Sequence, residues 1–91
     1  MNLDEIEKRI SNIYRIENIF VKSRKQDIVE ARALLFWILK IKLGKSFCEI
    51  GRYYGYNHAT IIHHVNRISS QMKFDKKFNK RLEEIVEKVL E

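Results

Sequence analysis

The sequence contains no proline and only three glycines. Proline and glycine are the residues that most often punctuate turns and interrupt helices. A chain so poor in both favours helices joined by short loops over tight β-hairpins. With 91 residues it has the length of one domain and can bury one modest core. The expected architecture is therefore all-α, with about five helices in a single domain spanning residues 1–91.

The spacing of apolar residues locates those helices. Leu3, Ile6, Ile10, Ile13 and Tyr14 recur at helical steps, so a first helix is expected over residues 3–14, capped by Asn2. Residues 17–21 can add a single turn. Lys22-Ser23-Arg24-Lys25-Gln26 is polar, aperiodic and basic, and is expected to be an exposed loop. A second helix is expected from about Asp27, with Asp27 and Glu30 at capping-box spacing, up to Gly44. Ile28, Ala31, Leu35, Ile38 and Leu39 form its stripe; Leu34, Trp37 and Ile41 widen it until the helix is apolar almost all round. Such a helix belongs at the centre of a fold. Ser46-Phe47-Cys48-Glu49 is a capping box opening a short helix over residues 47–54, which Gly55 ends. Asn57 caps a helix from 58 to about 71, with Ile61, Ile62, Val65, Ile68 and Met72 inward. Asp75 caps a last helix to about residue 90, with Phe78, Leu82, Ile85, Val86 and Val89 inward.

The charge is unevenly placed. Residues 22–81 carry fourteen basic and four acidic groups, a balance of +10, between a start of −1 and a final decade of −3. A clustered excess of this kind is the footprint of a polyanion partner. The single cysteine, Cys48, implies a reducing, cytoplasmic setting, and the chain shows neither a secretory leader nor a span long enough for a membrane. No glycine-rich phosphate loop is present, so neither bound nucleotide nor other cofactor is expected, and the chain is not expected to be an enzyme.

Two helices joined by a tight glycine-containing turn, over about 46–71, are the pattern of a helix-turn-helix. With Ile61, Val65 and Ile68 inward, the opposite face of the second helix presents Thr60, His63 and Arg67, flanked by Ala59 and Ser70. These side chains have the reach and chemistry for phosphates and base edges.

Ser46-Phe47-Cys48-Glu49-Ile50-Gly51, followed by Tyr54-Gly55-Tyr56-Asn57-His58-Ala59-Thr60-Ile61-Ile62-His63, resembles the C-terminal DNA-binding domain of the bacterial replication initiator DnaA. The family pattern there is approximately S-L-x-E-I-G, then G-R-D-H-T-T-V-L-H. Upstream, Ala31-Arg32 is similar to the family's A-R helix start, and Lys22-Ser23-Arg24-Lys25 falls at its basic loop. The similarity covers roughly residues 6–70. It implies a Trp-repressor-like all-helical fold that binds double-stranded DNA, in replication initiation or its regulation. It also implies roles for individual residues. Arg24, with Lys25 beside it, falls where a basic-loop arginine enters the minor groove. Arg32 and Lys40 fall at phosphate-contacting positions of the long helix; apart from the resemblance, Lys45 and Arg67 are positioned by charge to neutralise further phosphates. Ser46 and Phe47 lie beside the backbone. Asn57, His58, Ala59 and Thr60 fall on the major-groove readout residues, and His63 matches a histidine one turn further on. Tyr56, Asn57 and Ala59 replace the family's arginine, aspartate and first threonine. Aspartate accepts from cytosine whereas asparagine prefers adenine, so the sequence preference is expected to shift by about 1–3 kcal/mol per base pair.

Other readings are weaker. His63 and His64 point about 100° apart on a helix, His58 has isoleucines at i+3 and i+4, and a structural zinc site needs four ligands, so no metal is expected. Cys48 is expected to be a small semi-buried side chain. The acidic C-terminal helix, with Glu83, Glu84, Glu87 and Glu91, is the candidate surface for a protein partner. The alternative function is a small helical adaptor whose basic surface meets an acidic protein.

Overall fold

The computed structural model describes residues 2–91, and every regular element among them is helical. Five α-helices follow in order: α1 Leu3–Tyr14, α2 Gln26–Trp37, α3 Phe47–Tyr54, α4 His58–Phe74 and α5 Lys76–Leu90, with a π-helical turn, Ile38–Lys42, extending α2. The fold is thus the all-α class that the glycine- and proline-poor sequence predicts.

The apolar helix takes the central place. Ala31, Ala33, Leu34, Leu35, Phe36, Ile38 and Leu39 are fully buried, and α2 packs against both α1 and α4. Ile6 and Ile10 of α1, Ile50 of α3, Ile61, Val65 and Ile68 of α4, and Phe78, Leu82, Val86 and Val89 of α5 close the core around it. The expected caps form at four helices. Asn2 Oδ1 accepts from the Glu5 amide at 2.8 Å, and Asp75 Oδ1 accepts from the Phe78 amide at 3.0 Å. Asn57 caps α4, and the Ser46–Glu49 box closes at α3.

α2 departs from expectation at both ends. It starts at Gln26, with Lys25 at the cap position and no side-chain cap, so the Asp27–Glu30 capping box does not form. Glu30 is instead a buried acid, 6% exposed. It accepts a 2.5 Å hydrogen bond from the Tyr14 hydroxyl and a paired bond from the Arg81 guanidinium at 2.7 and 2.8 Å. This cluster joins α1, α2 and α5. Burial works to raise the Glu30 carboxyl, but the Arg81 and Tyr14 hydrogen bonds outweigh it and hold the carboxyl below its ordinary range. At the other end, the Leu43 amide reaches back five residues to the Ile38 carbonyl at 3.1 Å. This wider turn shifts the register, and Ile41, expected in the stripe, is 50% exposed. α4 runs three residues beyond the expected end, to Phe74, and residues 17–21 form an Asn18-centred turn without a helix. Ile19 in that turn is fully buried.

Candidate nucleic-acid interface

α3 and α4 build the hairpin, and each local contact has a sequence cause. Ser46 Oγ accepts from the Glu49 amide at 3.0 Å while Glu49 Oε1 accepts from the Ser46 amide at 3.3 Å, so the capping box sets where α3 begins. Gly55 ends α3 with φ of +71°, a left-handed conformation that suits glycine. Gly51 has a different role. The Tyr56 amide donates to the Gly51 carbonyl at 2.8 Å. A Cβ on Gly51 would stand 2.6 Å from the Tyr56 carbonyl oxygen and 3.6 Å from the His58 amide nitrogen. The turn closes against α3 because position 51 has no side chain.

The start of α4 stands in solvent. Asn57, His58, Ala59, Thr60 and His63 are all exposed. Asn57 Oδ1 accepts from the Ala59 amide at 2.8 Å, which turns the amide nitrogen of Asn57 into its free polar group. Around this tip the surface dips, lined by Cys48, Gly51, Arg52, Gly55, Tyr56, Asn57 and His58. Cys48 is exposed, contrary to the semi-buried placement expected of it.

The other predicted residues divide. Arg24 and Lys25 are exposed in the loop, where the Lys25 amide donates to Ser23 Oγ at 3.2 Å. Lys40 sits with its ammonium 4.7 Å from the centre of the Phe47 ring, at the entry to α3. Lys45 is half-buried. Three residues are turned inward. Tyr56 is half-buried, its ring 5.5 Å from that of Phe36 and 5.9 Å from that of Phe20. Arg67 is half-buried, close enough to Glu30 to help keep that carboxyl ionised. Arg32 donates through Nε to the Ile19 carbonyl at 2.9 Å and through Nη2 to the Val21 carbonyl at 2.7 Å. A wheel drawn for an isolated helix cannot register these long-range attractions.

An aromatic cluster connects the loop to the hairpin. Phe20 stacks on Tyr54 at 4.9 Å, and Phe36 lies within 5.5–6.3 Å of Phe20, Tyr54, Tyr56 and His64. Burial, with the charges of Arg67, His63 and Arg32, pushes the His64 imidazole down to about 4, so the ring is neutral in the fold. Burial likewise raises the Tyr54 phenol. Sequence reasoning passed over Phe20 in this cluster, although an aromatic next to a basic loop is a signal. It also passed over Arg52, an exposed cation in the last turn of α3 beside Asn57 and His58. Among the described residues, no three His, Cys, Asp or Glu side chains gather to hold a metal ion, and no helix is long and apolar enough to cross a membrane.

A capped hairpin whose second helix presents an exposed polar N-terminus, beside a basic loop, defines a helix-turn-helix domain. The model of the bacterial dnaA protein helix-turn-helix matches residues 3–68. Curated relatives agree. The chain is 33% identical to the chromosomal replication initiator protein DnaA of Campylobacter concisus over 93 aligned positions, covering 99% of this chain and 21% of that protein. It is 31% identical to that of Porphyromonas gingivalis over 86 positions, covering 91% of this chain and 18% of that protein. Over 52 positions, 57% of this chain and 12% of the relative, it is 48% identical to that of Kosmotoga olearia. The chain belongs to the bacterial DnaA helix-turn-helix family, and it spans about a fifth of the length of the Campylobacter and Porphyromonas relatives.

Proposed function

We propose that this domain binds double-stranded DNA, with the N-terminal end of α4 in the major groove and the loop at residues 22–25 in the adjacent minor groove, in replication initiation or its regulation. The observation that carries this reading is the exposed run Asn57, His58, Ala59 and Thr60 at the tip of a rigidly closed hairpin, with the basic loop tied to the same hairpin through Phe20. The initiator relatives and the +10 balance of residues 22–81 support it. Lys40, Lys45 and Arg52 flank the tip as phosphate contacts, and Arg24 and Lys25 supply the minor-groove charge. Asn57 reads through its amide donors, which suit guanine O6 or N7, adenine N7 or thymine O4 and reject the cytosine amino group. Tyr56 acts from within the aromatic cluster by shaping the turn. The groove formed by Trp37, Met72, Val86, Glu83 and Glu87 lies at the far end of α4 and stays open to a protein partner.

Selection of bound duplexes from a random library, followed by salt titration on the selected site, tests the reading. About five neutralised phosphates give a log K against log salt slope of about −4 to −5. Lys40→Ala should weaken all duplexes alike and reduce the slope by about one unit, whereas Thr60→Ala or His58→Ala should flatten the preference among sequences. A slope shallower than about −2 with well-folded protein overturns the proposal.

A further inference from the structure

We propose that Arg32 is a positioning residue that sets the basic loop relative to the hairpin, so that Arg24 reaches one groove while α4 occupies the other. The inference rests on the two-groove reading above.

The geometry is that of a staple. Arg32 lies in the second turn of α2, and its half-buried guanidinium holds two main-chain carbonyls of the preceding segment, Ile19 at 2.9 Å and Val21 at 2.7 Å. Between those carbonyls stands Phe20, whose ring stacks on Tyr54 of α3 at 4.9 Å and 24°. The same three residues are therefore pinned to α2 by the guanidinium and to the hairpin by the ring. Ile19 adds a fully buried side chain to this anchor. Only residues 22–25 remain between Val21 and the first residue of α2. A four-residue segment fixed at both ends has little freedom to swing, so the anchor dictates where Arg24 stands.

The donors in use point to a structural role. Nε and one Nη2 hydrogen, the side-on pair of the guanidinium, are committed to carbonyls, which leaves only the end-on Nη1 and Nη2 hydrogens for any phosphate, and the salt slope separates the two roles. Arginine's planar spacing of donors is what lets it bridge two carbonyls, and a lysine ammonium lacks that spacing. Charge and position are thereby separable by substitution.

The test measures binding of the full 91-residue chain to the selected duplex with A·T or G·C flanks. Arg24→Ala should lose about tenfold on the A·T-flanked duplex and little on the other, since a narrow A·T minor groove attracts arginine. Arg32→Lys should lose the same A·T advantage although its charge is kept. The Arg24→Ala, Arg32→Lys double variant should lose no more than Arg24→Ala alone, and the salt slope on the G·C-flanked duplex should stay within half a unit of the parent. Arg32→Lys retaining the full A·T advantage overturns the positioning role alone. So does Arg32→Gln lowering the slope by one unit on both duplexes, which is the signature of a phosphate contact. Arg24→Ala without effect on either flank overturns the two-groove reading itself. A measurement on the unsubstituted protein guards against a variant that fails to fold. The Arg32 Nε–H resonance should exchange slowly both before and after duplex is added, and slow exchange that begins only with DNA overturns the inference.

Discussion

Gly51→Ala sets two well-known effects against each other, and the structure decides the sign. Alanine is favoured over glycine inside a helix by about 0.8–1.0 kcal/mol, so propensity alone makes this substitution stabilising. The new methyl carbon, however, would stand 2.6 Å from the Tyr56 carbonyl oxygen, where ordinary contact begins near 3.4 Å. One backbone segment must move by roughly 0.8 Å. That carbonyl belongs to a turn held by the Tyr56 amide on Gly51 and by the Asn57 cap on Ala59. Forcing a methyl into a tightly packed site typically costs about 1–3 kcal/mol, and a backbone obstacle belongs in the upper part of that range. The net expectation is a loss of about 1–2 kcal/mol, or roughly 5–15 °C in the thermal midpoint of a domain this size. Because the displaced residues lead into α4, affinity for the selected duplex should fall more than tenfold and discrimination among sequences should weaken. Gly55→Ala is the control. It has no neighbour within 4 Å but a φ of +71°, so it carries a backbone cost of about 1–2 kcal/mol without pushing the turn aside. It should lower the midpoint while preserving discrimination. Thermal unfolding by circular dichroism and duplex binding measure both variants. A raised midpoint and unchanged binding for Gly51→Ala would refute the close-approach argument.

Arg81→Leu should destabilise by about 2–3 kcal/mol in urea unfolding, below the roughly 3–5 kcal/mol for breaking a fully buried pair because half of the Arg81 side chain is in solvent; pairing it with Glu30→Met should recover most of the loss. His64, held neutral at about 4 in the fold but free to take a proton near 6.5 once unfolded, gives stability that is complete above pH 6.5 and declines as pH falls towards 4. After discounting for its half-exposed ring, the parent should lose about 1 kcal/mol between pH 7.5 and 5, and His64→Phe should remove most of that slope. Asn57→Asp should keep the α4 cap and the midpoint, but replace a free donor with a free acceptor, turning selected duplexes towards cytosine at the contacted position by about 1–3 kcal/mol; an unchanged preference would place Asn57 away from the bases.

Features that depend on residues close in sequence were legible. The hairpin could be read because Ser46 and Glu49 are three apart, Gly55 needs only its own backbone angle, and Asn57 caps the turn that follows it. The same locality located α1 and the inward faces of α4 and α5. What escaped involves partners far apart in the chain. Glu30 has a capping-box spacing from Asp27, yet its partners are Tyr14 and Arg81, 16 and 51 residues away. Arg32, Arg67 and Tyr56 are placed at the interface by charge or by the resemblance, yet Arg32 is drawn to carbonyls of the segment before the loop, and Arg67 and Tyr56 to Glu30 and Phe36 of α2. The π-helical turn that exposes Ile41 has no proline or glycine to announce it. For Gly51, the motif marked the position, but the carbonyl pressed against it became visible only in three dimensions.

The division between scaffold and reading surface explains how this chain can depart from its family at three positions without losing the fold. The contacts that shape the hairpin and the segment before the basic loop are the Ser46–Glu49 box, the bare backbone at Gly51, the Phe20–Tyr54 stack and the Arg32 staple. None of them uses residue 59, and residue 57 contributes only the side-chain oxygen that caps α4. Ala59 is exposed, so its missing hydroxyl costs the core nothing. Asn57 keeps the capping oxygen that an aspartate would supply and changes only the group left over for a ligand. Tyr56 is the exception, because its ring joins the aromatic cluster, adding apolar contact with Phe20 and Phe36 where an arginine would project a cation. On the proposed reading, that exchange gives up a cation facing the phosphates in return for apolar packing of the turn. On the proposed major-groove reading, discrimination is assigned to a few uncharged donors and two exposed histidines, His58 and His63, set on this scaffold. The proposed reading then has sequence preference changing on this surface one residue at a time, while the contacts beneath it keep the fold.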